Sequence, residues 1–269
     1  MNLLSVPPRQ VTIDDAASFA GTTPQEIRHY HEIGLLPEPE RGSDDRRYGY
    51  EEVIQLLWIR KMADAGIAVN DMRDACAGTA PAGADGDHDV VGSRTRLLSD
   101  FVAKRLESVP KGSLRLADLD TVLVIERIFG PLGAAVHAGR YIALATHPAL
   151  RDEEDRVNAA EEALDDTIAV DDPRVAQVAA ERHGFDLALE AAIEDSGLAQ
   201  EDDALFDSWD ALHPAAADDS DGEACRISAG QESPSVAEVI GMMPYDHSPA
   251  RLRCMELAQE FSARESPAP

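Results

Sequence analysis

Side chains suited to binding phosphates and base edges cluster near the start of the chain. Arg46, Arg47 and Tyr48 are consecutive, and each can donate a hydrogen bond to a phosphate oxygen. Gln25 and Arg28 are three residues apart, about one helical turn, and both carry donors that can pair with base edges. Binding through even a few phosphates depends steeply on salt concentration. These side chains therefore supply hydrogen-bond donors suited to phosphates and base edges.

The residue types needed for catalysis or metal binding are present but scattered. The three cysteines, Cys76, Cys225 and Cys254, are far apart, which argues against a disulfide framework and a thiolate metal site. His29 and His31 lie on different faces of a helix, so they cannot hold one metal together. The sequence has no glycine-rich phosphate loop and no nucleophile elbow. We therefore expect no catalytic residue, no metal and no cofactor, and we do not expect an enzyme.

Local capping signals predict two short helices, the second of which would position Gln25 and Arg28. Thr12 can cap a helix that begins at Ile13 and ends at Gly21. Thr23-Pro24-Gln25-Glu26 has the pattern of a capping box with proline at the first helical position. The helix that follows ends at Gly34. Two short helices joined by a turn that contains glycine form a helix-turn-helix.

The next segment predicts a wing and two further helices. Pro37 and Pro39 exclude a helix, and residues 37–50 suit a pair of short strands. Helices are predicted over Glu51–Ala65 and from about Val69 to Ala77. The third helix supplies candidates for the core or an interface, namely Val53, Leu56, Leu57 and Met62, together with Tyr50 and Trp58.

Over residues 11–77 the sequence resembles the DNA-binding domain of the MerR family of transcription regulators. Three separated motifs carry this resemblance: Ile27-Arg28-x-Tyr30-x-x-x-Gly34-Leu35-Leu36, Arg46-x-Tyr48-x-x-Glu51-x-Val53 and Ile59-Arg60-x-Met62-x-x-x-Gly66-Ile67. The resemblance implies that the second helix enters the major groove and that the wing holds the DNA backbone. The resulting DNA-binding candidates are Thr12, Thr23, Gln25, Arg28, Tyr30, Arg46, Arg47 and Tyr48. Glu26 stands where the family often has a small polar residue that reads bases.

The resemblance also implies partners and a mechanism. Such regulators read two half-sites as homodimers, and an effector changes the geometry of promoter DNA so that RNA polymerase can engage. The expected dimerisation helices fall in residues 94–129, where Pro110-Lys111-Gly112 interrupts them. We therefore expect promoter DNA, RNA polymerase and a second copy of the chain as partners.

Composition and the positions of glycine and proline divide the rest of the chain into predicted segments. Residues 78–93 are predicted as a linker or loop, 130–212 as an α-helical effector domain, 213–235 as a flexible acidic loop and 236–264 as C-terminal helices. The predicted fold class is thus mostly α, a winged helix-turn-helix followed by an all-α domain. The helices predicted beyond the first module are Leu116–Phe129, Leu132–Leu144, Glu153–Ile168, Pro173–His183, Asp186–Ser196, Val236–Ile240 and Ala250–Arg264.

Charge is distributed unevenly along the 269 residues. The net charge is −27, of which the first 78 residues carry only −5. Between Asp152 and Glu223, 24 acidic residues accompany three basic ones. This run indicates a solvated surface, a face that repels DNA, or a docking surface for a basic protein. No apolar run is long enough to cross a membrane and no signal peptide is evident, so we expect a cytoplasmic protein without membrane contact.

Two interpretations of the C-terminal half remain open, and they belong to different functional classes. A small-molecule pocket could be built from the aromatics, whose plainer interpretation is hydrophobic core. The alternative is a protein-interaction module that binds no small ligand. An enzyme fused to a DNA-binding domain is disfavoured because no catalytic constellation is present. The candidate ligand-binding aromatics are Phe129, Tyr141, Phe185, Phe206 and Trp209.

Overall fold

The computed structural model describes residues 9–38, 47–76, 84–213 and 235–265. Within these ranges the regular secondary structure is helical, and one isolated antiparallel bridge joins Val11 to Tyr48. The predicted mostly α fold is therefore confirmed. The helices are α1 (Ile13–Ala20), α2 (Pro24–Glu32), α3 (Tyr50–Asp64), α4 (Val69–Cys76), α5 (Ala84–Thr95), α6 (Asp100–Leu106), α7 (Leu116–Thr146), α8 (Pro148–Glu162), α9 (Pro173–Asp195), α10 (Leu198–Leu212), α11 (Val236–Met242) and α12 (Pro249–Glu265).

Helices α1 and α2 form the helix-turn-helix, and each begins with a capping box. The Thr12 hydroxyl accepts a hydrogen bond from the Asp15 amide at 3.2 Å, and the Thr23 hydroxyl does the same for the Glu26 amide. Gly21 ends α1 with a φ of 70°, a left-handed conformation that glycine adopts without strain. The caps thus fix where α2 begins and which of its faces turns outward.

Helix α3 is buried on most of its circumference because it packs between α1 and α7. All four of its predicted core residues are buried, and so is Trp58. The first module and the helices that follow therefore share one hydrophobic cluster. A second, smaller cluster lies among α8, α9 and α12 and includes the buried Cys254.

Helix α7 changes direction in the middle, at the boundary that the sequence predicts between two helices. Gly130 has φ 75° and ψ 179°, which is not helical, and Pro131 follows it. Proline disfavours a helical conformation of the residue before it and cannot donate a helical hydrogen bond. The predicted break at Pro110-Lys111-Gly112 is also present, since α6 ends at Leu106 and α7 begins at Leu116.

Several helices differ from the sequence prediction. Helix α8 spans Pro148–Glu162, whereas the sequence predicts Glu153–Ile168. Helix α5 begins inside the predicted linker of residues 78–93, where glycines weaken the helical pattern but α6 and α7 supply packing. Helix α9 continues through Gly184, the predicted break, because packing against α8 and α12 offsets a glycine penalty of about 1 kcal/mol. Helix α10 was not among the predicted helices.

The predicted wing lies mostly outside the described residues. Its C-terminal end is seen at Tyr48, whose backbone pairs with that of Val11 in both directions at 2.9 Å. Most of the predicted acidic loop at 213–235 also lies outside them. Among the helices that the structure describes, none is both long and apolar enough to cross a membrane.

Candidate nucleic-acid interface

The outward face of α2 carries polar side chains that are available for contacts. Gln25 and Arg28 are both exposed on the first two turns of this helix. Within the described ranges Arg28 has no ion pair with a carboxylate. His29, its neighbour, is exposed and lies 3.7 Å from the Glu32 carboxylate. The structure thus brings Gln25 and Arg28 together on one face, as the sequence predicts.

The two candidate threonines serve the helix ends. The Thr12 hydroxyl also donates to the Asp15 carboxylate at 2.8 Å, and the Thr23 hydroxyl donates to Glu26 at 3.1 Å. Thr23 remains exposed, whereas Thr12 is half-buried. Their hydroxyls position α1 and α2, and a DNA contact by either would share an atom with a cap.

The acidic residue on α2, Glu26, is bound to the start of its own helix. Its carboxylate accepts hydrogen bonds from the Thr22 hydroxyl at 2.7 Å and from the Thr23 amide at 3.0 Å. These bonds, that of Thr22 foremost, lower the pKa of Glu26 below its ordinary value. Its negative charge is thereby held against the positive end of the helix dipole.

The two candidate tyrosines are placed very differently from exposed phosphate ligands. Tyr30 is half-buried against the core, and burial raises the pKa of its hydroxyl. Tyr48 is completely buried, and its hydroxyl lies 2.9 Å from Nε2 of His31. Nδ1 of His31 lies 3.0 Å from the carbonyl oxygen of Leu36. The structure therefore does not support the prediction that the Tyr48 side chain grips the DNA backbone, because its hydroxyl is already used inside the domain.

Of the two arginines predicted on the wing, the structure describes only Arg47. Arg46 lies outside the described residues. Arg47 is exposed and lines a cavity of about 650 Å³ together with Arg9, Glu51 and Glu52. The proximity of these two glutamates gives Arg47 a mixed electrostatic environment rather than a purely basic one.

A set of polar contacts between residues far apart in the sequence fastens α3 to α7. The Trp58 indole donates to the Asp120 carboxylate at 2.6 Å, and Arg94 reaches the same oxygen at 2.9 Å while its guanidinium stacks over the indole. Burial raises the pKa of Asp120, and these two partners oppose that effect. Lys61 pairs with the buried Glu126. Of the two roles predicted for Trp58, core or interface, the structure gives it the first, since its ring is buried in the core and its indole is bound to Asp120.

The end of α1 is held from α7 as well. Arg127 donates through Nη2 to the carbonyl oxygen of Ser18 at 3.1 Å and through Nε to that of Phe19. Free carbonyls at a helix C-terminus carry partial negative charge, which a guanidinium complements. Arg73 supports α2 in the same way by donating to the carbonyl oxygen of Ile33 at 2.8 Å. The C-terminal ends of α1 and α2 are therefore each held by an arginine side chain, Arg127 from α7 and Arg73 from α4.

The five candidate ligand-binding aromatics do not converge on one described cavity. Tyr141 and Phe185 are buried, whereas Phe129 and Phe206 are about half exposed. Trp209 packs edge-on against Phe101 rather than against the other four. The linings of the two described cavities include none of the five. Their arrangement matches the hydrophobic-core interpretation for Tyr141 and Phe185.

The cysteine that the structure places in the C-terminal half is not suited to metal binding, which requires a thiolate. Cys254 is buried on α12, and burial raises the pKa of its thiol to about 11. Cys225 lies outside the described residues. In the part of the chain that the structure describes, no group of three or more histidine, cysteine or acidic side chains could hold a metal ion.

The capped helix pair and its exposed second helix define a helix-turn-helix DNA-binding protein. Residues 11–79 match the family described as "MerR HTH family regulatory protein". Residues 11–79 are therefore a helix-turn-helix domain of this family.

Curated relatives agree with this assignment over the N-terminal part of the chain. The chain is similar to a "Mercuric resistance operon regulatory protein" from Bacillus cereus, 27% identical over 113 residues, which are 42% of this chain and 79% of the relative. It is similar to the "HTH-type transcriptional regulator HmrR" from Sinorhizobium medicae, 28% identical over 40% of this chain and 65% of the relative. The chain therefore spans slightly less than two thirds of that second relative. No solved structure matches.

Proposed function

We propose that this protein regulates transcription by binding promoter DNA as a homodimer, with α2 in the major groove. The observation that carries the proposal is the exposed pair Gln25 and Arg28 on a helix whose start is fixed by a capping box. A helix-turn-helix reads bases with the N-terminal residues of its second helix. Gln25 and Arg28 would read bases or hold phosphates, and Arg46 and Arg47 would hold the backbone.

The dimeric state and the promoter mechanism extend this proposal. Two copies related by a two-fold axis would place two α2 helices on successive half-sites. The family resemblance supports a mechanism in which the dimer changes promoter geometry for RNA polymerase, within the cytoplasm and without catalysis. The hydrogen bonds from α7 to α1 and α3 support a coupling between the C-terminal half and DNA binding. A movement of α7 would displace α1 and α3 directly.

For the C-terminal half, we propose a sensor of a small molecule that acts on DNA binding through α7. A specific observation favours a second candidate, a protein-interaction module without a small ligand. The candidate aromatics are dispersed, and acidic side chains such as Asp152, Glu162, Glu190 and Asp203 lie exposed along α8 to α10. Such a surface complements a basic partner.

The decisive experiment is a footprint of the full-length protein on DNA flanking its own gene, followed by affinity measurements on the protected site. Arg28→Ala should weaken binding about fivefold or more, since one good bidentate base contact contributes about 1–3 kcal/mol. The matched control is Arg253→Ala, which removes the same charge from α12, where Arg253 pairs with Glu256 and Glu260. Equal affinities of the two variants would contradict the placement of α2.

A further inference from the structure

A groove of about 860 Å³ lies between the end of α5, helix α6 and the loop that leads to α7. Its volume lies in the range of pockets that bind small organic molecules. The walls are contributed by residues 91–96, 100–107 and 109–114, so three consecutive segments surround it. This groove is separate from α2 and from all five candidate aromatics.

The cationic side chains of the groove stand out in a chain with 51 acidic residues. The sequence contains only three lysines, and two of them, Lys104 and Lys111, line the groove together with Arg96. Over the described ranges no carboxylate forms an ion pair with Lys104, Lys111 or Arg96, although Asp100 and Glu107 also belong to the lining. Arg96 donates instead to the Ser93 hydroxyl at 3.1 Å.

Several arginines elsewhere in the C-terminal half pair with carboxylates at close range. Arg105 pairs with Glu201 and Asp202, and Arg151 pairs with Asp118 at 2.8 Å. Unpaired lysines in such an acidic protein leave positive charge available for an external anion, which they would bind through charge-assisted hydrogen bonds.

The floor of the groove is apolar. Leu106 is buried beneath it, while Val91, Val109 and Leu114 are half-buried and leave part of their surface open to the groove. Cations at the rim and an apolar floor together match a ligand with an anionic head and an apolar body. We propose that this groove binds an anionic amphiphile, a carboxylate or sulfonate attached to a hydrocarbon or aromatic body.

The groove adjoins contacts that join α3 to α7. Arg94, two residues before Arg96 on α5, stacks 4.8 Å above the Trp58 ring and pairs with Asp120. At the start of α6, the Ser99 amide donates to the Glu126 carboxylate at 3.0 Å. A ligand seated between α5 and α6 therefore contacts the two segments that tie α7 to α3. This part of the inference rests on the proposed sensing function, and it makes the groove the effector site.

The binding test uses 8-anilinonaphthalene-1-sulfonate as a fluorescent probe on the full-length protein, with decanoate and decyltrimethylammonium as competitors. Decanoate should displace the probe and the cationic competitor should not. The double variant Lys104→Gln/Lys111→Gln should bind the probe about tenfold more weakly, because two charge-assisted contacts are lost. The control Arg174→Gln/Arg253→Gln makes the same change in net charge outside the groove, at the exposed Arg174 and the half-buried Arg253, and it should retain affinity.

Further measurements distinguish binding in the groove from a loosened fold of the variant and from a second copy of the chain that covers the groove. Lys104 and Lys111 are exposed, so the double variant should keep the native near-ultraviolet circular dichroism, which excludes probe binding to a loosened core. Lys104→Arg/Lys111→Arg should restore affinity. Equal probe affinity in the glutamine and control variants would overturn the proposal. Equal competition by both amphiphiles would overturn it too, as would affinity that falls with protein concentration because a second copy covers the groove.

The same probe measures coupling to DNA. If the groove is the effector site, saturating operator DNA should change the probe dissociation constant, since coupling between two sites is reciprocal. An unchanged constant would overturn the effector assignment. A normal footprint with no probe binding would refute only the groove, whereas loss of the footprint would refute the proposed function and leave the groove measurement intact.

Discussion

Replacing Tyr48 with phenylalanine separates a structural role of this residue from a DNA-binding one. The ring would keep its packing, and only the hydroxyl beside His31 would be lost. The carbonyl oxygen of Leu36 can only accept, so Nδ1 of His31 must be the donor in that contact. In the neutral ring Nε2 is then an acceptor, and the Tyr48 hydroxyl is its donor.

The size of the effect follows from burial. Both side chains are buried, and the two atoms are 2.9 Å apart. Removing the donor leaves Nε2 without a partner, which costs about 1–3 kcal/mol of the free energy of unfolding. For a chain of this size, a loss of about 1.5 kcal/mol lowers the melting temperature by roughly 3–6 °C. Affinity for operator DNA, measured well below the melting temperature, should change less than about twofold, which is under 0.5 kcal/mol.

Two assays on the same samples distinguish a structural role of the Tyr48 hydroxyl from a contact with DNA. Urea unfolding followed by tryptophan fluorescence measures stability, and fluorescence anisotropy with labelled operator measures affinity. Arg28→Ala serves as the opposite case, with affinity reduced and stability nearly unchanged. If Tyr48→Phe unfolds at the wild-type urea concentration but binds DNA many-fold more weakly, the hydroxyl contacts DNA and the reasoning from its burial is wrong.

Three further substitutions test local features of the fold. Gly130→Ala should lower stability by about 1–3 kcal/mol in urea unfolding, because φ 75° with ψ 179° is essentially restricted to glycine. Gly184→Ala should raise it by about 0.5–1 kcal/mol, since this glycine lies inside α9 with open space around an added Cβ; a loss there would refute the helical assignment. Asp172 caps α9, and its hydrogen bonds with Arg174 lower its pKa from 3.8 to about 2. Its stabilisation is present above pH 3.8 and lost as the pH falls through about 2, so thermal melts of Asp172→Ala should lie below wild type at pH 6 and approach it at pH 2. A constant difference across that range would argue against the role of its charge.

The helix-turn-helix could be predicted from sequence because its determinants are local. Each cap joins residues three positions apart, such as Thr12 with Asp15 and Thr23 with Glu26. The change of direction in α7 was predictable for the same reason, since Gly130 precedes Pro131 directly. Signals of this range depend only on the side chains and backbone of residues a few positions apart, which is why the start of α2 agrees with the prediction.

Features decided by tertiary contacts could not be predicted. Trp58 and Asp120 are 62 residues apart, and nothing in their spacing pairs them. The hydroxyl of Tyr48 suits a phosphate as well as it suits His31, and only the packed domain distinguishes the two. Gly184 resembles a break because a glycine is weak in an isolated helix, but neighbouring helices outweigh that local cost. Where two structures of a segment have similar local free energies, tertiary packing decides which one forms.

The net charge of −27 is a poor guide to DNA binding in this protein because affinity depends on where each charge is held. On α2 the negative charge of Glu26 is bound by Thr22 and Thr23 at the helix start, while Arg28 is exposed and unpaired within the described ranges. The local field at the exposed face of α2 can therefore favour a phosphate although the whole molecule repels one.

A distant acidic surface still opposes nonspecific association, which has only electrostatic attraction to offset that repulsion. This arrangement predicts a high ratio of specific to nonspecific affinity. Neutralising exposed acids on α9 should raise binding to random DNA more than binding to the operator; an equal rise for both would show that the acidic surface acts on the operator complex as well.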